Sequence, residues 1–331
     1  MILRFIVILF LFSTSFCFTI SPIFNEWFCL DFIKNIDKSK PLKYQIGDLP
    51  LVIWFNNSKL PLSTINICSH YGSRLDKGNI NKKGCLVCPY HGLEYNKKMT
   101  FGKTMIHQGK LWWSYENKNK PPSIPFYNNN NYETIEISSD INANVLDCIY
   151  NMIDINHPKF VHNNPLSFGS DNEPINFKLT KYPDKKKVGI FFNYKANKNL
   201  FNLKKELNNS NSFHIYDYPF NTWSRVTILK NQNLFMNINF LPLNKDKTRL
   251  FITIKHNYWK SNFEQNLMKI AINKILDEDK EQLNYQSKET ILKNKLMYTY
   301  KLKNEDHLLY IRSIIKNNNN NSLNLYPSVD N

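Results

Sequence analysis

Four residues constrain this chain more than any others. Cys68-Ser-His70 and Cys88-Pro-Tyr-His91 form a C-x-H step and a C-x2-H step, with seventeen residues between His70 and Cys88. Two thiolates and two imidazoles are a donor set for zinc. They equally suit a two-iron, two-sulfide cluster in which both cysteines hold one iron and both histidines hold the other. Each step is followed closely by a glycine, Gly72 and Gly92. Glycine permits tight turns that aim backbone N–H groups at sulfur, so the pattern reads as two loops gripping one cluster from opposite sides. Around them lie short β-rich runs, Leu51-Val-Ile-Trp-Phe55 and Thr64-Ile-Asn-Ile67, with turns at Gly72, Gly78, Gly84, Gly92 and Gly102. The pattern predicts an all-β module over residues 24–126.

Pro121-Pro122-Ser-Ile-Pro125 and the asparagines 128–131 then read as a linker. Beyond it, residues 132–315 predict an α+β module. Helical spacing of Val145, Leu146, Ile149, Met152 and Ile153 predicts a helix over 143–162. Strands follow over 188–194, 222–229, 234–241 and 249–258, then a long helix from 261 to about 288. The asparagine-rich stretch 316–331 is expected to be a disordered tail. The predicted helix over 143–162 carries Asp154, His157 and His162. Two histidines and a carboxylate with open coordination positions are the donor set of non-heme Fe(II) oxygenases. On the long helix, Met268, Ile272, Leu276 and Leu283 share one stripe and Asp279 projects from its middle. A carboxylate within an apolar stripe is costly unless paired or metal-bound. Asp277, Glu278 and Glu281 fall on other faces and are expected in solvent.

These segments resemble the Rieske-type non-heme iron oxygenases. The resemblance rests on Cys68-Ser-His-Tyr-Gly-Ser-Arg-Leu-Asp-Lys-Gly78 with Gly84-Cys-Leu-Val-Cys-Pro-Tyr-His-Gly92. It rests also on Asn151 to His162, which is similar to N-x2-D-x2-H-x4-H, and on Glu278 to Gln286, which is similar to E-D-x3-(L/V)-x2-Q. It runs from about residue 27 to 286 and departs from the family at Tyr71, where arginine is usual, and at Leu93, where tryptophan is usual. Neither is a ligand position.

The resemblance implies an all-β [2Fe-2S] domain followed by a catalytic domain of antiparallel sheet plus helix, of the helix-grip, START-like kind. It implies one [2Fe-2S] cluster on Cys68, His70, Cys88 and His91, and one mononuclear Fe(II) on His157, His162 and Asp279. Asp154 would orient a ligand histidine and bridge toward a cluster histidine. A ferredoxin or reductase would supply electrons, O2 would be consumed, and a small organic substrate would be oxygenated. In this family the assembly expected is a homotrimer, with one subunit's cluster serving its neighbour's iron. The pheophorbide a oxygenase and vanillate demethylase groups are the family members most similar in kind, which implies an aromatic or chlorophyll-derived substrate. His214, Tyr216, Tyr218 and Trp223 are candidates for the pocket wall. A Rieske electron carrier or redox sensor without oxygenase activity is the competing reading, and the second cluster of histidines argues against it.

Residues 1–17 hold one arginine, the apolar run Phe5–Phe12 and a small-residue stretch ending at Cys17, the layout of a signal-like leader. Cleavage before Phe18 would resemble the bipartite leaders that direct proteins to some algal plastids; entry into another endomembrane compartment or membrane association is the alternative. The six cysteines, at 17, 29, 68, 85, 88 and 148, are not spaced as a secreted disulfide framework. In respiratory and photosynthetic Rieske proteins an extra cysteine in each loop forms a disulfide. Here Tyr71, Gly72, Ser73 and Pro89 occupy the matching places, so Cys85 is read as a small packed hydrophobe. Forty-three lysines and arginines against 27 acids give +16. No basic helix or arginine cluster accompanies that charge, so nucleic acid is not an expected partner.

Overall fold

A strand can be apolar at five successive positions only when both its faces are covered. In the computed structural model, which describes residues 21–162, 172–182, 186–196, 212–229, 231–286 and 304–319, the run Leu51 to Phe55 obeys that rule. The expected leader at 1–17 lies outside the described residues. The amino-terminal strands are β1 (Phe28–Phe32), β2 (Leu42–Ile46), β3 (Leu49–Phe55), β4 (Pro61–Ile65), β5 (Asn79–Ile80), β6 (Leu86–Val87), β7 (Glu94–Tyr95), β8 (Lys103–His107) and β9 (Lys110–Ser114). They form three small antiparallel sheets, ordered β2-β3-β4, β1-β9-β8 and β5-β6-β7. The two strands with five successive buried residues, β3 at Leu51–Phe55 and β9 throughout, are the middle strands of their sheets. The two cysteine-histidine loops leave the ends of the third sheet, one between β4 and β5 and one between β6 and β7.

The second region is one seven-stranded antiparallel sheet, ordered β10-β16-β15-β14-β13-β12-β11. Its strands are β10 (Glu133–Ile141), β11 (Asn172–Tyr182), β12 (Lys187–Ala196), β13 (Ser212–Asp217), β14 (Asn221–Leu229), β15 (Gln232–Asn244) and β16 (Lys247–His256). Helices α1 (Val145–Ile153), α2 (Pro158–Val161), α3 (Asn262–Tyr285) and α4 (Asp306–Asn319) complete it. The fold is α+β. Helix α1 lies against β13, β15 and β16 on one face of the sheet. The amino-terminal module covers the other face, where Phe28 meets Phe220 at 5.2 Å and Phe32 meets Phe251 at 5.6 Å between ring centroids. Coverage on both sides explains why β16 is buried at every position from Leu250 to His256.

A buried cation joins the two modules. Lys110 on β9 donates from Nζ to Asn237 Oδ1 (2.9 Å) and Asn239 Oδ1 (2.5 Å) on β15. Both asparagines in turn donate to Asn221 Oδ1, at 2.7 and 2.8 Å. Burial pushes the Lys110 ammonium down to about 8.

Three features differ from the sequence reading. The helix expected over 143–162 is two helices, broken at Asp154. A continuous helix would place Pro158 in its interior, without an N–H and with its ring against the carbonyl of Asp154. The chain instead leaves the helix at Asp154 and starts α2 with Pro158 at its first turn, where proline is tolerated. Strands β10, β11 and β13 had no clear sequence signal; β10, at the sheet edge, mixes exposed and covered positions instead of forming an apolar run. Helix α4 continues through Asn319, into the stretch expected as tail. Among the described residues no helix is long and apolar enough to cross a membrane.

Candidate metal centres

The first site grows from two loops with matching backbone bonds. Gly72 N–H donates to the Cys68 carbonyl (2.8 Å) and Cys68 N–H to Ser73 (2.8 Å); Gly92 N–H donates to the Cys88 carbonyl (3.1 Å) and Cys88 N–H to Leu93 (2.9 Å). Closing each turn requires a positive φ, 72° at Gly72 and 75° at Gly92. A side chain would meet no neighbour at either place, so backbone conformation and not space selects glycine. Gly78 is the opposite case: a Cβ there would lie 2.0 Å from the Val87 carbonyl oxygen, on the strand that leads into the second loop.

The loops bring all four expected residues together. Cys68 and Cys88 are buried and unpaired by any disulfide, whereas His70 and His91 stand at the surface with ring centroids 4.8 Å apart. Burial pushes the Cys68 thiol up, but the Tyr95 hydroxyl, the His70 and Tyr71 backbone and Cys88 together bring it below its usual range. The Tyr95 hydroxyl also accepts from Ser69 N–H at 2.8 Å. Asn66 and Asp76 brace the first loop by exchanging bonds of 2.6 and 2.8 Å, and Arg74 closes on Asp76 at 2.8 Å. Two thiolates at the base and two imidazoles at the tip fit one [2Fe–2S] cluster. Among the described residues Cys85 is free, as the sequence reading expected. Tyr71, 74% exposed, and Tyr90 flank the two histidines at the tip, with rings 6.1 Å apart.

The second site is buried. His157 and His162, at the two ends of α2, face Asp279 of α3, and one donor atom from each lies within 4.8 Å of the others. The helix break explains the first imidazole. With no helical N–H for the Asp154 carbonyl at position 158, that oxygen accepts His157 Nδ1–H at 2.9 Å. A carbonyl can only accept, so the proton sits on Nδ1 and Nε2 carries a lone pair. Nε2 is buried, has no hydrogen-bond partner, and lies 3.4 Å from Asp279 Oδ1. His162 repeats the arrangement, its Nδ1 held at 3.1 Å by Glu278 Oε2 and its Nε2 3.6 Å from Asp279 Oδ1. Asn151 steadies the carboxylate, donating from Nδ2 to Asp279 Oδ1 at 2.8 Å. Two imidazole lone pairs and a carboxylate converge where only a cation can satisfy all three, which fits a divalent metal. The local electrostatics agree. Burial pushes His157 down, but Asp279, and then Asp154, outweigh it and hold the imidazole above its usual range.

Asp154 stands at the rim of this site. Its Oδ1 accepts from Asn156 N–H at 2.9 Å and its Oδ2 lies 3.9 Å from His157 Nδ1. It lines a cavity of about 430 Å³ with Asp147, Tyr150, Asn151, His157 and Phe160. Phe160 is 70% exposed at that mouth.

Two sequence readings need correction. Glu278 is not in solvent: it is 13% exposed and holds His162. Its residue sits one helical step from Asp279, and α2 approaches that flank of α3, which no single-helix wheel can reveal. Trp223 does not belong with His214. It pairs with Ile215 and Asn237, on the face of the sheet that meets Lys110, and its ring packs on Phe213 at 5.0 Å. His214 and Tyr216 lie on the helix-facing side, Tyr216 buried with its hydroxyl on the Pro219 carbonyl at 3.1 Å. Asn151 was visible in the motif, but its bond to Asp279 was not.

Comparison with known proteins agrees with this architecture. Residues 26–106 match the Rieske [2Fe-2S] domain. The chain is 23% identical over 189 residues to pheophorbide a oxygenase, chloroplastic, of Oryza sativa subsp. japonica, covering 47% of this chain and 36% of that protein. It is 25% identical over 162 residues to chlorophyllide a oxygenase, chloroplastic, of Arabidopsis thaliana, covering 44% and 30%. The chain thus spans about a third of the length of the curated relatives it matches. In fold it is similar to dicamba monooxygenase bound to dicamba, with a TM-score of 0.73 at 14% identity, covering 90% of this chain and 98% of that one. A Rieske [2Fe-2S] domain thus occupies residues 26–106, within a chain whose overall fold is similar to that of a monooxygenase.

Proposed function

We propose that this protein is an O2-dependent oxygenase holding a [2Fe-2S] cluster on Cys68, His70, Cys88 and His91 and a mononuclear Fe(II) on His157, His162 and Asp279. The observation that carries the reading is the convergence of two imidazole Nε2 lone pairs on one buried carboxylate oxygen, at 3.4 and 3.6 Å. When bound, the cluster supplies single electrons and the ferrous ion supplies the redox chemistry that turns O2 on an organic substrate.

The chain's own residues set up that chemistry. Asp154 and Glu278 hold the Nδ1 protons of the two histidines, through a backbone carbonyl and a carboxylate respectively, so both rings present Nε2. Asn151 fixes the carboxylate. The cavity beside Asp154 and His157 opens to the outer surface, which supports docking of a second copy's cluster tip there, with Asp154 bridging toward a cluster histidine. The assembly that goes with this reading is a homotrimer, with a ferredoxin or reductase as the electron donor. The chloroplastic relatives support a plastid location and a chlorophyll-derived substrate.

The test is purified, iron-loaded protein given reductant, O2 and a panel of porphyrin-derived and methoxy-aromatic compounds, with products read by mass spectrometry. Oxygen from 18O2 should enter a product or the water released with it. Cluster reduction and reoxidation without any product, across the panel, would instead favour an electron carrier.

A further inference from the structure

Two successive carbonyls at the end of α1 each accept an imidazole N–H. The Asp154 carbonyl takes His157 Nδ1 at 2.9 Å. The Ile153 carbonyl takes His307 Nε2 at 3.2 Å, from α4 at the far end of the chain. His214, from β13, stands on the side of the sheet that faces α1. A helix end leaves its last carbonyls without intrahelical partners, and water or a glycine turn ordinarily meets them. Here histidines meet two of them instead, His157 from the turn that follows α1 and His307 from the far end of the chain.

Both additional histidines are themselves held in place. His307 is fully buried, with its ring 5.8 Å from that of Phe177 on β11. His214 shares a cross-strand row with Ser224 and Met236, and its ring lies 5.2 Å from Phe192. Burial, then the neighbouring His307 and His157, push His214 down to about 3, so it is neutral at physiological pH. Because a carbonyl only accepts, His307 must present its Nε2–H to α1.

We infer that His307 is a positioning residue for the mononuclear metal site: by holding the Ile153 carbonyl it fixes the neighbouring Asp154 carbonyl that aims His157. This rests on the metal-site reading proposed above. It makes the C-terminal helix part of the metal centre, although α4 contributes no donor to the histidine–aspartate triad.

The test uses the full-length protein with its cluster assembled, in wild-type, His307→Leu and His307→Gln forms. Glutamine keeps an N–H donor near the position of Nε2, whereas leucine keeps bulk alone. Co(II) is titrated into each, and affinity and the visible d–d spectrum are read. Cluster electron paramagnetic resonance serves as the fold control. His307→Leu should weaken Co(II) binding by about 10- to 100-fold, the range typical of lost outer hydrogen bonds at metal sites, and change the d–d bands. His307→Gln should recover most of the affinity and the wild-type bands, with the cluster signal the same in all three. Wild-type affinity and bands in His307→Leu would overturn the inference while leaving the metal site standing. Wild-type protein that binds Co(II) no better than Asp279→Ala would overturn the metal-site reading and this role with it. If His307→Leu does not fold, His307→Gln decides alone: retained affinity supports the donor role, and a tenfold loss overturns it.

Discussion

The cluster loops take their four donors from residues 68–91 and hold two of them at the surface, whereas the triad draws on residues 157, 162 and 279 and buries them. Each cluster loop is closed by its own backbone bonds and one positive-φ glycine. The triad is closed by side chains from elsewhere: Asn151 on the carboxylate, Glu278 on one imidazole, a proline-freed carbonyl on the other. Exposure suits a group that must exchange electrons with another protein. Burial suits a metal whose donors would otherwise be met by water.

If the loops are self-contained, losing one exposed donor should abolish the cluster and spare the rest. His91→Ala should therefore show no Rieske absorbance or low-g resonance, with the mononuclear metal still bound. Loss of both metals together would break the proposed independence. Asp154→Asn probes the link between the regions. It should retain both metals, because the backbone carbonyl that holds His157 remains, yet slow reoxidation of the reduced cluster at least tenfold in single-turnover mixing. Unchanged reoxidation at full metal content would remove Asp154 from the path between them.

The difference also governs what the sequence made legible. Both cluster loops and the β3 core were readable because their causes are local: adjacent donors, glycines and an apolar run. The triad was readable in its members, since the proline-spaced histidines and the acid in an apolar stripe leave marks on the chain. Its supports were not. Glu278 reads as a surface residue on its own helix and is largely buried only because α2 packs there. His307 carries no motif at all, and its partner carbonyl is 154 residues away. Trp223 failed for the converse reason: one residue of strand register sends a side chain to the other face.

Glu278→Gln sharpens the contrast further. An amide can still accept from His162 Nδ1–H but without charge, so mononuclear metal affinity should fall about tenfold and the cluster signal should not change. No change would make Glu278 a packing residue. The smallest effect belongs to Lys110, at the joint between the regions. Its pKa of about 8 in the folded chain against an ordinary 10.5 means that the unfolded chain holds more protons between those values, so this group's contribution to stability rises with pH across the window. Wild-type stability relative to Lys110→Met should therefore increase between pH 8 and 10.5, measured by urea unfolding. A flat difference would mean that Lys110 is not a desolvated cation.

On the proposed function, Asp279 completes a buried metal site independent of the exposed cluster. Metal analysis combined with electron paramagnetic resonance on wild-type and Asp279→Ala protein tests it directly. Wild type should carry three irons per chain, about two in the cluster and one in the triad. Asp279→Ala should lose the third iron while its Rieske spectrum stays intact. An Asp279→Ala protein that keeps all three irons, or a wild type that never binds more than the cluster's two, would contradict it.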